Sequence, residues 1–459
     1  VSDLFYYQRQ SNPIKDVNIC CRCRCLLEFS DLIEAIYSAP TYHLVFEGCL
    51  ILFIVGLLFQ HSFLPSKRRG GSGDRLSKAE EDQLIAEWQP EPLVSGDPAD
   101  EALLASYQRC ATSQVGRSVT YSDGRTLVNF ATGNFLDFIG EARIRDRALA
   151  SLRHYGLRPA RFYGTMDVHL HLEEQLAKFY GCEEAVLYSY GFSTIASAIP
   201  SYAKRHDIIF ADERCCFAIQ QGSAITTLRT WRSFCSGRPS TTVGTPKKAR
   251  VTRKFIVVEG LYVNCGDICP LGELVKLKYK YKVRLFVEES ASLGTLGATG
   301  RGICEEAGVS VQDRLSGLGY CFSASLPPML AAAASEALTM VDEMRGERTA
   351  RLKSVSDRLH QRLLAELDNL WSVEGAPMSP IKHLRLHRCT GENSLPALEA
   401  ACAAAADAGL LLTVARYVAQ DLGQPAQPSI RLSVNCNHSD SEIGSLLDFL
   451  KSYATGLAK

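Results

Sequence analysis

Between residues 184 and 289 of this 459-residue chain, short continuous apolar runs alternate with stretches whose apolar positions recur every three to four residues. The runs EAVLYSY (184–190), DIIFADE (207–213), KFIVVEG (254–260) and VRLFVEE (283–289) predict strands, KFIVVEG a buried one. Between them, GFSTIASAIPSYAK and PLGELVKLKYKY (270–281) have helical spacing, and EARIRDRALASLRHYG (141–156) predicts a helix stopped by its glycine. The unit from 254 to 289 is therefore a βαβ crossover, and the alternation as a whole predicts a mostly parallel sheet covered by helices. A turn and an Ala-rich helix follow in CFSASLPPMLAAAASEALTMVDEM. Beyond residue 346 the pattern changes to a basic amphipathic helix (RTARLKSVSDRLHQRLLAEL), two strands around HLRLHRC and SIRLSVNC, and a last helix opened by a Ser439 to Glu442 capping box. The expected fold class is α/β, with a large domain over 101–346 and a smaller α+β domain over 347–459.

Upstream, LVFEGCLILFIVGLLF (Leu44 to Phe59), extended by Tyr42, Phe63 and Leu64, reaches the ~20 residues that a bilayer crossing requires. One transmembrane helix is expected over 41–64. A buried core helix is the competing reading, because Glu47 shortens the clean apolar stretch. No small-residue cleavage site follows, which disfavours a signal peptide. Lys67, Arg68 and Arg69 flank the far end, while no Lys or Arg lies between Cys25 and the span, so the body is expected on the cytosolic side. Residues 65–100 form a basic Gly and Ser tether, a helical stretch (KAEEDQLIAEW) and an extended arm (QPEPLV). Residues 1–40 are an N-terminal segment, and the first 30, which open on Val1, are expected to be a fragment or a gene-model artefact. Their CCRCRC run (20–25) has C-x-C-x-C spacing, unlike a paired zinc motif; lipid attachment is the alternative.

Fifty basic and 50 acidic residues cancel, which argues against a nucleic-acid partner. The 17 cysteines are scattered through apolar segments and not spaced as a disulfide framework, so a reducing compartment is expected. No metal site is expected.

Candidate chemistry lies in LFVEESASLGTLGATGRG (285–302). Glu259, Glu288 and Glu289 fall at the carboxyl ends of predicted parallel strands, where open α/β sheets place ligands. Gly294, Gly297, Gly300 and Gly302 follow neither the dinucleotide nor the phosphate-loop spacing, and are better read as a structural turn. Two readings of Glu288 stand: a carboxylate that keeps a ring nitrogen protonated, or a solvated or ion-paired strand end.

A set of motifs in order, NFATGNFLDF, GTMDVHLHLE, YSYGFSTIAS, VVEGLYVNCGDICPL, GATGRG and FSASLPP, resembles the α-oxoamine synthases. These are pyridoxal-phosphate enzymes that join an amino acid to an acyl-CoA. APTYHLVFEG, EWQPEPLV, KARVTRKFIVVEGLY and LVKLKYKY are similar to the membrane-anchored, non-catalytic long-chain-base subunits within that family, over roughly 31–459. The resemblance implies a fold-type-I pyridoxal-phosphate transferase domain, an endoplasmic reticulum membrane location, and a heterodimer with a lysine-bearing catalytic subunit. It also implies L-serine and an acyl-CoA at a shared site, with pyridoxal phosphate held by the partner.

The departures carry equal weight. The family holds the cofactor's aldehyde on a Lys between GRG and FSASLPP, yet this chain has no lysine from Val283 to Leu352. The interval from Gly302 to Cys321 is also short, so a central segment near 311–315 is expected to be missing, either in the molecule or in the gene model. No catalytic residue is therefore assigned. By the resemblance, the ring-nitrogen carboxylate corresponds to Glu288, the following His to Ala291 and the ring-stacking His to Cys216. An early Arg corresponds to Ala160, with Arg158 and Arg161 close by. Arg431 matches the Arg that grips the substrate carboxylate, and is expected here in a structural ion pair. Phe322, Ser323, Ala324 and Ser325 are expected to face the partner's cofactor. His169 and His171 are read as packed or solvated, not as a ligand pair.

Overall fold

The computed structural model describes residues 48–50, 52–53, 78–89, 110–156, 166–188, 190–204, 207–224, 228–231, 253–310, 326–367, 369–387, 394–415 and 427–456. The chain divides into two units, 1–97 and 98–459. In the first, residues 48–50 and 52–53 are helical and α1 spans Lys78–Glu87. Among the described residues no helix is long and apolar enough to cross a membrane, and most of the expected 41–64 span lies outside them.

The second unit runs β1 (Ser118–Thr120), β2 (Thr126–Asn129), α2 (Ala142–Tyr155), α3 (Asp167–Tyr180), α4 (Gly191–Tyr202), β3 (Ile208–Asp212), α5 (Phe217–Ala224), β4 (Leu228–Trp231), β5 (Lys254–Glu259), α6 (Leu271–Tyr281), β6 (Arg284–Glu288) and α7 (Ile303–Glu306). It continues with α8 (Pro328–Glu343), α9 (Glu347–Leu367), β7 (Trp371–Glu374), β8 (Ile381–Leu386), α10 (Ser394–Asp407), β9 (Leu410–Leu411), β10 (Thr413–Ala415), β11 (Ser429–Ser433) and α11 (Asp440–Gly456).

The parallel sheet has the order β4-β3-β5-β6, with Ile209 facing Phe255 and Glu259 facing Glu288 in register. Its central strand β5 is apolar from Phe255 to Val258, and all four side chains are buried in one core with Ile209, Leu285 and Leu296. This is the doubly covered strand that a run without alternation predicts. The helix expected over 141–156 ends at Gly156 with φ 70°, and the one over 270–281 is α6.

The C-terminal part is built on an antiparallel sheet, β10-β11-β8-β7. Helix α9 buries Leu352, Val355, Leu359, Leu363 and Leu367 against it, the i, i+3/i+4 stripe that its sequence shows. Trp371 is fully buried there and its indole N–H donates to Leu450 O at 3.1 Å. The capping box is present, with Ser439 N donating to Glu442 Oε2 at 2.7 Å and Glu442 N to Ser439 Oγ at 3.3 Å.

Two features differ from expectation. Residues 184–188 are irregular instead of a strand: the Leu187 N–H donates to Glu173 Oε1 at 3.0 Å, an acceptor on α3 that replaces a ladder partner. The early β1–β2 hairpin also joins the C-terminal part, because β2 pairs in parallel with β9 and Phe130 packs in the same core as Trp371.

Candidate functional site

Parallel β5 and β6 bring Glu259 and Glu288 side by side at the carboxyl edge of the sheet, as the pattern of strands predicts. Both are buried, which is expensive for charged carboxylates, so their surroundings decide their ionisation. Glu259 accepts the Cys216 N–H at 2.5 Å and the Val263 N–H at 3.2 Å. Burial, reinforced by the neighbouring Glu288 charge and opposed by those two donors, pushes Glu259 up to about 8. Glu288 is also raised, chiefly by burial, although its Oε1 accepts the Ser290 N–H at 2.7 Å. A salt-bridged or solvated strand end is therefore not what the structure contains: Glu288 is 5% exposed and has no salt bridge among the described residues.

Cys216 sits over this edge at the start of α5, its own amide tied to Glu259. Burial, then the Glu259 charge, pushes its thiol up to about 12, so it is a neutral, poorly nucleophilic group at neutral pH. Ala291 is buried in the core beneath. Cys216, Glu288 and Ala291 thus lie at one edge of the parallel sheet.

The glycine-rich stretch is a turn closed by its own carboxylates. Gly294, Gly297, Gly300 and Gly302 all have φ between 78° and 86°, the region that glycine tolerates best. Thr299 N and Arg301 N donate to Glu305, Gly297 N to Glu306 and Ile303 N to Glu289. These amides would have to be free to cradle a phosphate, and they are already satisfied. Glu305 and Glu306 escaped sequence reasoning; two acids directly after a glycine turn were the available signal. Lys353 Nζ donates to Glu306 at 2.6 Å, and Glu306 is lowered despite partial burial by that ammonium and the Gly297 amide.

A relay of contacts joins this edge to the antiparallel sheet. Val263, whose amide is held by Glu259, gives its carbonyl to His383 Nε2 at 3.0 Å, and Ser429 Oγ lies 2.8 Å from His383 Nδ1. With Nε2 donating to a carbonyl, Nδ1 accepts from Ser429, so the ring is the neutral tautomer; burial lowers it to about 4. Arg431 stands opposite His383 in the β8–β11 register. The ion pair expected of Arg431 is absent among the described residues, and its buried Nε has no hydrogen-bond partner there. Glu374, two strands away across His383, is bound by Arg385 at 2.5 Å and by Arg214. His169 is buried with Nε2 donating to Leu326 O at 2.7 Å, whereas His171 is exposed, so the two do not converge. Among the described residues no cluster of His, Cys, Asp or Glu is arranged to hold a metal. Phe322, Ser323, Ala324 and Ser325, together with Arg158, Ala160 and Arg161, lie outside the described residues.

Comparison with known proteins gives this geometry its family. Residues 125–300 match the aminotransferase class I and II family. The chain is 35% identical to serine palmitoyltransferase 1 of Dictyostelium discoideum, covering 91% of this chain and 95% of that protein. It is also 35% identical to long chain base biosynthesis protein 1b of Oryza sativa subsp. japonica, over 90% and 92% of the two chains. The solved Sphingomonas wittichii serine palmitoyltransferase superposes with a TM-score of 0.67 at 24% identity, covering 82% of this chain and 98% of that one, which establishes the fold. The chain belongs to the first-subunit family of serine palmitoyltransferase, within the α-oxoamine synthase fold of the aminotransferase class I and II proteins.

Proposed function

We propose that this chain is the non-catalytic subunit of serine palmitoyltransferase, paired with a lysine-bearing catalytic subunit that joins L-serine to palmitoyl-CoA to give 3-ketosphinganine, carbon dioxide and coenzyme A. The observation that carries the proposal is chemical: between Val283 and Leu352 the sequence contains no primary amine to bind the cofactor's aldehyde. The side chains at the family-equivalent positions agree with it. A neutral thiol at Cys216 cannot stack as an imidazole does, and Ala291 offers no polar group. Pyridoxal phosphate, when bound in the partner, supplies the electron sink for bond cleavage at the serine α-carbon. What this chain contributes is a closed, rigid surface against which the partner's site is completed. The raised Glu259 and Glu288 limit the negative charge buried there.

The chain is read as anchored in the endoplasmic reticulum membrane by the 41–64 segment, with its large unit cytosolic and Phe322 to Ser325 turned toward the partner's cofactor. Its test is co-expression with a catalytic subunit. Co-purification and recovered activity are expected; loss of both ends the proposal. The short Gly302–Cys321 interval favours a second reading, a scaffold of the same fold that supports no turnover. In that case the subunits co-purify without activity. Sequencing the transcript across residues 311–315 separates a true deletion from an incomplete gene model.

A further inference from the structure

The edge of the parallel sheet opposite the carboxylates has the reverse charge. Because β3, β5 and β6 are parallel, their first residues share one edge. Lys204 lies just before β3, Arg253 and Lys254 open β5, and Lys282 and Arg284 open β6. Helix α6 is the crossover between β5 and β6, so its last turn returns to the same edge with Lys278, Tyr279, Lys280 and Tyr281.

Only part of this charge is neutralised within the fold. Arg253 meets Asp207 at 2.7 Å and Lys276 meets Glu273 at 2.7 Å. Lys204, Lys254, Lys280, Lys282 and Arg284 make no salt bridge among the described residues. The exposed tyrosines are interleaved with the cations: Tyr279 is 56% and Tyr281 40% exposed. The ammonium groups of Lys278 and Lys280 lie 4.9 Å and 5.3 Å from the centroids of those rings. The helix dipole explains cations in the last turn of α6, but not those on β5, β6 and the segment before β3.

We propose that this edge is a docking surface for a bilayer that carries anionic headgroups. Lysine dominates it, and an ammonium is a hydrated point charge suited to a fluid layer of headgroups more than to one fixed carboxylate or phosphate, for which arginine's planar fork is the better match. Tyrosine at the margin of such a patch presents an apolar ring and a polar tip, the arrangement that settles at a membrane interface. An acidic protein segment is the competing occupant. The inference does not depend on which subunit carries the cofactor.

The test uses the full chain, assembled with its catalytic subunit, in detergent and in nanodiscs of phosphatidylcholine alone or mixed with phosphatidylserine. Acylation rates of Lys204, Lys254, Lys278, Lys280 and Lys282 are read by mass spectrometry. In the anionic discs the rates are expected to drop several-fold relative to the neutral discs, because the attraction of these cations holds the edge against the headgroups, and to recover at high salt. In a Lys280→Gln, Lys282→Gln, Arg284→Gln variant, the protection of Lys204 and Lys254 is expected to vanish. Equal rates in neutral and anionic discs overturn the proposal. Protection already present in detergent also overturns it, because a protein partner would then cover the edge.

Discussion

At the carboxyl edge of the parallel sheet burial pushes an acid, Glu259, up to about 8, whereas on the antiparallel sheet it pulls a base, Lys382, down to about 7. Lys382 is fully buried and its Nζ donates to Ala376 O at 2.5 Å and Pro377 O at 2.7 Å. The two groups are handled by the same physics with opposite signs: low dielectric removes charge, and backbone partners satisfy what polarity remains. The difference is in what surrounds them. Glu259 has a second carboxylate in register beside it, at the carboxyl edge of the parallel sheet. Lys382 ties a turn of its own sheet and is walled in. Lys382 thus pins the 376–377 carbonyls of its own turn.

The largest expected effect tests the antiparallel side. Trp371→Ala removes a fully buried indole and its bond to Leu450 O, and is expected to cost ~3–5 kcal/mol in denaturant unfolding. A loss under 1 kcal/mol would mean that this core does not pack as described. On the parallel side, Gly302 has φ 84° and a Cβ there would collide with the Glu289 carboxylate that holds the turn. Gly302→Ala is expected to cost ~1–3 kcal/mol from backbone conformation, before the collision is counted. The same substitution at Gly308, with φ 63° and open space around it, is expected to cost less.

Two smaller effects read the ionisation directly. Lys382 has a folded value depressed from 10.5 to about 7, so between those values the unfolded chain binds a proton that the folded one has lost. Its contribution is therefore greatest above 10.5 and is lost as pH falls toward 7, by at most about 1.4 kcal/mol per pH unit. Lys382→Met should abolish that slope in stability measured across the range; an unchanged slope would show that the amine stays charged. Glu259 has the opposite sign. Its folded value is raised from 4.5 to about 8, so its stabilising contribution is present below 4.5 and is lost as pH rises through 8. Glu288→Gln removes one cause of that rise, and should shorten the pH window of falling stability from its upper end. A window that keeps its upper end would leave burial as the sole cause.

The same contrast marks what was legible in the sequence. Strands β5 and β6 and the site they align were visible because a doubly buried strand is an unbroken apolar run, and register then places Glu259 opposite Glu288 without further information. The run at 184–190 looked alike and is not a strand, because Glu173, distant in sequence, takes the Leu187 amide. Short strands such as β1, β7 and β9 carry too few residues to show a period, and the β2–β9 pair joins opposite ends of the second unit. Spacing alone marks the glycine turn as structural, while the role of Glu305 and Glu306 in closing it depends on a chain reversal that spacing does not carry. For Arg431 an ion pair was expected, and none is present among the described residues, where Glu374 is paired with Arg214 and Arg385.

The most direct test of the proposed non-catalytic role is reductive trapping. The two-subunit complex is loaded with pyridoxal phosphate, treated with borohydride, and both chains are mapped for pyridoxyl-lysine. The account predicts stoichiometric label on one lysine of the catalytic partner and none on this chain, Lys382 included. Stoichiometric label on any lysine of this chain would contradict it.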